Sequence, residues 1–362
     1  MWIKEGIKQV NFFFINKIKR ALIENTLPLC NMASSKNSTS RQKVLVTRSD
    51  IPEPGIKLLK EKYDMDIYPV ASPMPREELL SRIKGKNAIL CMLTDKIDKE
   101  FLDAAGPDLK VVGTLSVGFD HIDLSECHKR GVHVGNTPNV LTDAAAELTV
   151  ALVLATARRL MEATKQVVNG GWAKCSWAPL WMCGTSLTGS TVGIYGLGRI
   201  GFGVAERLKG FKVKDIIYAG RKEKPEAREK LNAKFVPFNQ LLEQSDFIIV
   251  CTALTPETHG IFNLEAFKNM KRSAIFINTS RGKVVNQEDL YTALTTGLIR
   301  AAGLDVTDPE PLPTDHKLTK LSNCVLLPHI ATAVVETREN MSIITANNIL
   351  AGLEGKPLPC PL

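Results

Sequence analysis

Apolar and polar positions along this 362-residue chain fall into two series of short hydrophobic runs and amphipathic stretches, joined by one long apolar segment. The first series opens at "KVLVTRS" (43–49), a β-branched run that predicts a strand. "PGIKLLKEKYD" (54–64) follows with helical spacing behind Pro54 and Gly55, then "MDIYPV" (65–70) as a strand and "PREELLSRIKGK" (75–86) as a helix. "NAILCML" (87–93) reads as a strand, and "KEFLDAAGPDLKVVGTLSVGFD" (99–120) as helix then strand. Strand and helix alternate every 10–15 residues, which predicts an open parallel sheet.

"LTDAAAELTVALVLATARRL" (141–160) is apolar on nearly every face, so the helix it predicts is buried and connects two domains. "NGGWAKCSWAPLWMCG" (169–184) reads as an ordered loop. The second series then runs "TVGIYGLGRIGFGVAERLKG" (191–210) as strand, glycine turn and helix, and "VKDIIYAG" (213–220) as a strand. "FNQLLEQ" (238–244), "LEAFKNM" (264–270) and "QEDLYTALTTG" (287–297) are helical. "SDFIIVCTAL" (245–254), "SAIFINTS" (273–280), "RAAGLDV" (300–306) and "NCVLLP" (323–328) are strands. The closing stretch 334–355 is a helix ended by Gly352 and Gly355 that is expected to return to the first domain. The expected organisation is an N-terminal extension over 1–40, a substrate-binding domain from 41–140 plus 333–362, and a dinucleotide-binding domain over 141–332.

The glycine turn carries the first chemistry. Gly196 permits a tight strand-to-helix turn, Gly198 lets the backbone approach a pyrophosphate, and Gly201 lets the helix pack closely on its strand. Amides and dipole at the helix start favour the phosphate charge. A fold preferring NAD places Asp or Glu about twenty residues on, against the ribose hydroxyl. Here Gly220 is followed by Arg221 and Lys222, so NADPH is expected over NADH, with NADH as the lesser possibility.

Composition narrows the class. With 44% hydrophobic and 23% charged residues the chain is an ordinary globular protein, and no apolar run reaches the roughly 18 residues that span a bilayer. Half of the net charge of +8 lies in residues 1–40, where Lys4, Lys8, Lys17, Lys19, Arg20 and Lys36 face only Glu5 and Glu24. The remainder is mildly basic, which suits an anionic substrate and argues against a nucleic-acid partner, because the charge is not interleaved with aromatics. Eight cysteines form no C-x-x-C pair and no metal spacing, so reduced thiols, a cytoplasmic location and no metal are expected. Residues 1–40 are read as a disordered extension, with an organelle presequence as the alternative.

The segments "SVGFDHIDL" (116–124), "GNTPNVLTDAAAEL" (135–148), "VGIYGLGRIG" (192–201), "NTSRGKVVNQEDL" (278–290), "AAGLDVTDPEPLP" (301–313) and "LLPHIATA" (326–333) resemble the D-isomer-specific 2-hydroxyacid dehydrogenase family. The resemblance runs from about residue 43 to 360. The Trp-rich loop and the "YAGRKEKPE" turn resemble its members that act on glyoxylate and hydroxypyruvate. It implies an α/β protein of two doubly wound parallel-sheet domains, Rossmann-like and flavodoxin-like, with the active site in the cleft between them.

It further implies hydride transfer to a small 2-keto acid, with His329 as general acid, Glu310 as its partner and Arg281 holding the substrate carboxylate. A histidine suits proton transfer near neutrality, and a planar guanidinium suits a carboxylate. The resemblance adds Val117, Gly118, Asp305, Thr332 and Trp177 to the substrate site, Trp177 reaching into a partner subunit of a homodimer. It assigns the cofactor to Gly196, Gly198, Arg199, Ile200, Gly201, Arg221, Lys222, Ala253, Thr279, Asp305 and Ala331. Histidines 121, 128, 133, 259 and 316 are expected to be structural or exposed. After His329 the chain departs from the subgroup, with Ala331, Thr332, Val334 and Val335 where Gly-Ser and a polar residue are usual. The alternatives are another dehydrogenase of the family and a nucleotide-sensing corepressor built on the same fold.

Overall fold

The computed structural model describes residues 41–175 and 177–362; the expectations for residues 1–40, Cys30 among them, lie outside these. Two parallel sheets carry the described chain. The first contains β1 (Lys43–Val46), β2 (Asp64–Ile67), β3 (Ala88–Cys91), β4 (Val111–Thr114) and β5 (His133–Gly135), in the order β2-β1-β3-β4-β5. The second contains β6 (Thr191–Tyr195), β7 (Asp215–Ala219), β8 (Lys234–Phe235), β9 (Phe247–Val250), β10 (Ile275–Asn278), β11 (Ala301–Leu304) and β12 (Cys324–Leu326). Its order, β12-β11-β10-β9-β6-β7-β8, reverses direction between β9 and β6. That reversal opens the crevice in which such sheets bind ligands, and the glycine turn leaves β6 there.

Strands covered on both faces must be apolar at every position, and the central strands β3 and β9 are. In β9, Phe247 and Ile249 face one core of the second sheet while Ile248 and Val250 face the other. In β3, Ala88 and Leu90 divide from Ile89 and Cys91 in the same way. Phe276 of β10 meets Phe262 and Phe267 at ring distances of 5.0 and 5.5 Å. Truncating a ring so enclosed costs about 3–5 kcal/mol.

The helix expected over 141–160 spans Thr142–Ala157 and ends three residues short. Helix Thr142–Ala157 lies against β10, β11 and the helix that follows the glycine turn. It stops because Arg159 is left-handed (φ 54°) and the carbonyl of Ala157 accepts the Thr185 amide instead of continuing the ladder. A second helix, Leu160–Val168, follows, with a short one at Gly171–Lys174 inside the expected loop. Helices Leu124–Lys129 and Pro225–Leu231 and strands β5 and β8 carry too few apolar residues to show as periodic runs.

Helix Val335–Leu353 packs against β3, β4 and β5 of the first sheet and against helix Glu53–Lys60. The approach is close: a Cβ on Gly352 would lie 2.9 Å from Val111, and one on Gly135 would lie 2.6 Å from Asn348. Buried Asn348 donates to the Asn136 carbonyl (3.0 Å) and accepts from the Cys360 amide (2.9 Å). The chain end is thereby tied to the loop that follows β5.

Candidate active site

The loops that follow β10, β11 and β12 converge. After β10, Asn278 is almost fully buried and folds the turn around itself. Its Nδ2 donates to the Arg281 carbonyl (2.9 Å), and its Oδ1 accepts from the Ser280 amide (3.0 Å) and hydroxyl (2.8 Å). Next in the chain, Gly282 presses on the loop after β11, where a Cβ would lie 1.9 Å from the Thr307 carbonyl. Only glycine lets those two loops touch, and the second of them carries Glu310.

Glu310 Oε2 lies 3.0 Å from His329 Nδ1, and Oε1 accepts from the Thr307 amide at 2.9 Å. Burial pushes this carboxyl up, but the bond to His329, the Thr307 amide and the nearby charges of His329 and Arg281 outweigh it, so it sits below its ordinary value. The glutamate is therefore ionised at neutral pH. With Nδ1 engaged, Nε2 of His329 is the nitrogen free to act.

His329 itself is held in the left-handed region (φ 56°). Asp305, expected to face the nicotinamide and the substrate, is fully buried beneath this turn. Its two oxygens accept from the Ile330 and Ala331 amides, each at 2.8 Å, and its carbonyl accepts from the His329 amide at 2.8 Å. Burial raises its pKa more than the two amides lower it. Thr332 comes next, its carbonyl accepting from Arg338 Nε at 3.0 Å.

Arg281 faces the first sheet. Its Nε donates to Asp120 Oδ1 (2.8 Å) and its Nη1 to the Ser280 carbonyl (2.8 Å). A Cβ on Gly118 would lie 1.6 Å from Nη2, so the guanidinium occupies the space that a side chain at 118 would fill. Val117 is fixed by Asn136, whose Nδ2 donates to its carbonyl at 2.9 Å. Arg281 thus meets Gly118, with Val117 next to it in the chain, and the guanidinium and the hydrogen-bonded His329–Glu310 pair lie on neighbouring loops.

The glycine turn fits a dinucleotide. Gly196 has φ 95°, and a Cβ there would lie 2.8 Å from Thr252 backbone. A Cβ on Gly201 would lie 2.4 Å from the Gly196 carbonyl, whereas Gly198 faces open space. Helix Arg199–Lys209 begins there, with Ile200 in its first turn, and no side chain caps its amides. Beyond β7, a Cβ on Gly220 would lie 4.0 Å from the Gly196 Cα, so the chain passes the turn there and continues into exposed Arg221 and Lys222. Ala253 is exposed on the loop after β9, and the Thr279 hydroxyl lies 2.9 Å from that of Thr149. Ala331 is buried through its bond to Asp305.

Trp177 stands 87% exposed in the single chain, outside the converging loops. One residue beside the site has no signal of its own in the sequence: Asp120, inside the "SVGFDHIDL" run, whose Oδ1 accepts from Arg281. Asp120 is held below its ordinary value because Arg281 outweighs its burial. His121, expected to be structural or exposed, is half-buried, lies 3.0 Å from the Thr114 hydroxyl through Nε2, and is pulled down to about 4 by desolvation, hence neutral.

Comparison with known proteins places these loops in a family. Residues 150–331 match the D-isomer specific 2-hydroxyacid dehydrogenase, NAD binding domain family. The chain is 53% identical to the human glyoxylate reductase/hydroxypyruvate reductase over 322 residues, covering 88% of this chain and 97% of that protein. It is 48% identical to a glyoxylate reductase of Thermofilum pendens over 321 residues, covering 88% and 94%. Among solved structures it resembles an NADPH-dependent glyoxylate/hydroxypyruvate reductase from Sinorhizobium meliloti in complex with NADP and malonate. That likeness has a TM-score of 0.79 at 32% identity, covering 89% of this chain and 97% of the other. The chain therefore belongs to the D-isomer-specific 2-hydroxyacid dehydrogenases and is an NAD(P)-dependent oxidoreductase.

Proposed function

We propose that the protein reduces glyoxylate to glycolate and hydroxypyruvate to D-glycerate with NADPH, His329 acting as general acid. The observation that carries the reading is the His329–Glu310 pair at 3.0 Å on loops beside Arg281, in the sheet that bears the glycine turn. The names of the relatives above support the choice of substrates.

The nicotinamide supplies the hydride. Arg281 binds the substrate carboxylate through its Nη atoms, with the Val117 and Gly118 amides at the other end. His329 bonds Glu310 through Nδ1, so it gives a proton to the keto oxygen from Nε2 only as the imidazolium. The ionised Glu310 accepts from Nδ1 and fixes the ring. Asp305 and Ala331 hold the turn in place, and Thr332 lines the substrate side. Arg199, Ile200, Ala253 and Thr279 line the cofactor's path beside the three glycines. The unit built on the first sheet serves the substrate and the unit on the second the dinucleotide.

NADPH is preferred on this reading because Gly220, not a carboxylate, stands at the end of β7, while Arg221 and Lys222 would meet a 2′-phosphate. A homodimer is supported by the exposed apolar side chains Val168, Trp172, Trp177 and Leu180, a surface that a soluble monomer rarely shows. Among the described residues no helix is long and apolar enough to cross a membrane, and the seven described cysteines are free, as suits the cytoplasm. The test is steady-state oxidation of NADPH and NADH with each keto acid. Turnover faster with NADPH supports the reading. Turnover with NADH alone refutes the cofactor preference, and binding without turnover favours a corepressor.

A further inference from the structure

Both halves of the carboxylate-binding site are set by one turn, Thr114–His121. Asp120 follows β4 of the first sheet and Arg281 follows β10 of the second, 161 positions apart, yet their side chains pair at 2.8 Å. A guanidinium has five N–H donors in a fixed plane. Nε is taken by Asp120 and one donor of Nη1 by the Ser280 carbonyl, which leaves one on Nη1 and both on Nη2. Nη2 rests against the Gly118 Cα, so the free edge is presented to the Val117–Gly118 backbone. Without the Nε bond nothing else in the described residues fixes the torsions of the long Arg281 side chain on that side.

The turn is itself braced from below. His121 Nε2 lies 3.0 Å from the Thr114 hydroxyl, which lies 2.8 Å from the Ser116 hydroxyl, which donates to the Gly118 carbonyl at 2.7 Å. Thr114 and Ser116 are buried, so these bonds do not exchange freely with water. The Asp120 carboxylate is in turn at the Nε edge, away from the Nη edge left for an incoming anion.

The geometry points to Asp120 as a positioning residue that fixes the orientation of the Arg281 guanidinium for the substrate carboxylate. It acts through the hydrogen bond to Nε, and its role rests on the reading that Arg281 binds that carboxylate. Asp120→Ala removes the acceptor, whereas Asp120→Asn keeps an oxygen for Nε–H and removes only the charge. The experiment measures kcat and KM for glyoxylate, KM for NADPH and the thermal midpoint in both variants and in Arg281→Ala. Loss of one charge-assisted bond predicts a glyoxylate KM raised about tenfold in Asp120→Ala. KM for NADPH should stay within about twofold and the midpoint should be kept, a split that a general loss of structure would not give. Asp120→Asn should return the glyoxylate KM to within about threefold of the parent. A parental KM in Asp120→Ala overturns the proposal, and so does Asp120→Asn as impaired as Asp120→Ala. A parental KM in Arg281→Ala would instead overturn the assignment of Arg281, a failure that the Asp120 variants alone would not produce.

Discussion

Replacing Asp305 with Asn tests how His329, the proposed general acid, is held. Both Asp305 oxygens accept main-chain amides at 2.8 Å in a fully buried position, and the turn they hold puts His329 at φ 56°. A left-handed non-glycine residue costs about 1–2 kcal/mol, so the turn persists only because its bonds outweigh that cost. An asparagine keeps one acceptor and turns an NH2 against the other amide. A buried donor left unmatched costs about 1–3 kcal/mol. Taking about 2 kcal/mol, the equilibrium constant for the aligned turn falls about 30-fold, and its population falls by up to that factor. We therefore expect kcat with glyoxylate to fall by up to about 30-fold while its KM changes little, because Arg281, Val117 and Gly118 lie on other loops. Urea unfolding should show a loss of about the same 2 kcal/mol. A kcat within threefold of the parent alongside that loss of stability would refute the reasoning, since the bonds would then serve the fold and not the histidine.

Three further outcomes follow from the site and its surroundings. Glu310 sits below its ordinary value, so its share of stability is present above the unfolded pKa of about 4.3 and is lost as pH falls through the lower folded value. Thermal midpoints of the parent and Glu310→Gln should thus differ at pH 7 and converge below about pH 4, and a gap unchanged in acid would contradict the pairing. Arg221→Ala with Lys222→Ala should raise KM for NADPH about tenfold and leave that for NADH near its starting value, as initial rates will show. In the proposed homodimer, Leu180→Asp should give a monomer by light scattering, and Trp177→Ala should raise the keto-acid KM without dissociation; a monomeric parent would dispose of both.

The sequence was readable where a local rule governs. The turn at Gly196 needs a positive φ, so its glycine is a signal in one place, and the apolar runs of β9 and β10 announce strands covered on both faces. The candidate residues Arg281, Glu310 and His329 came from resemblance, and each lies on a loop that follows a strand, after β10, β11 and β12. What was illegible depends on partners distant in sequence. The helix expected over 141–160 breaks at Arg159 because Thr185, 28 residues past Ala157, takes a carbonyl that the helix would otherwise use. Asp305 looked like a ligand contact, since nothing near it in sequence shows that the Ile330 and Ala331 amides claim both oxygens. Asp120 was overlooked for the same reason, its partner being on the other sheet.

The most direct test of the account is NADPH oxidation with hydroxypyruvate by the parent and by His329→Ala, with NADPH binding measured by fluorescence in both. The account predicts turnover to D-glycerate by the parent, and a kcat lower by about two to four orders of magnitude in the variant at unchanged NADPH affinity. Comparable turnover in His329→Ala would contradict it, because the proton would then come from a group other than the histidine that Glu310 and Asp305 hold in place.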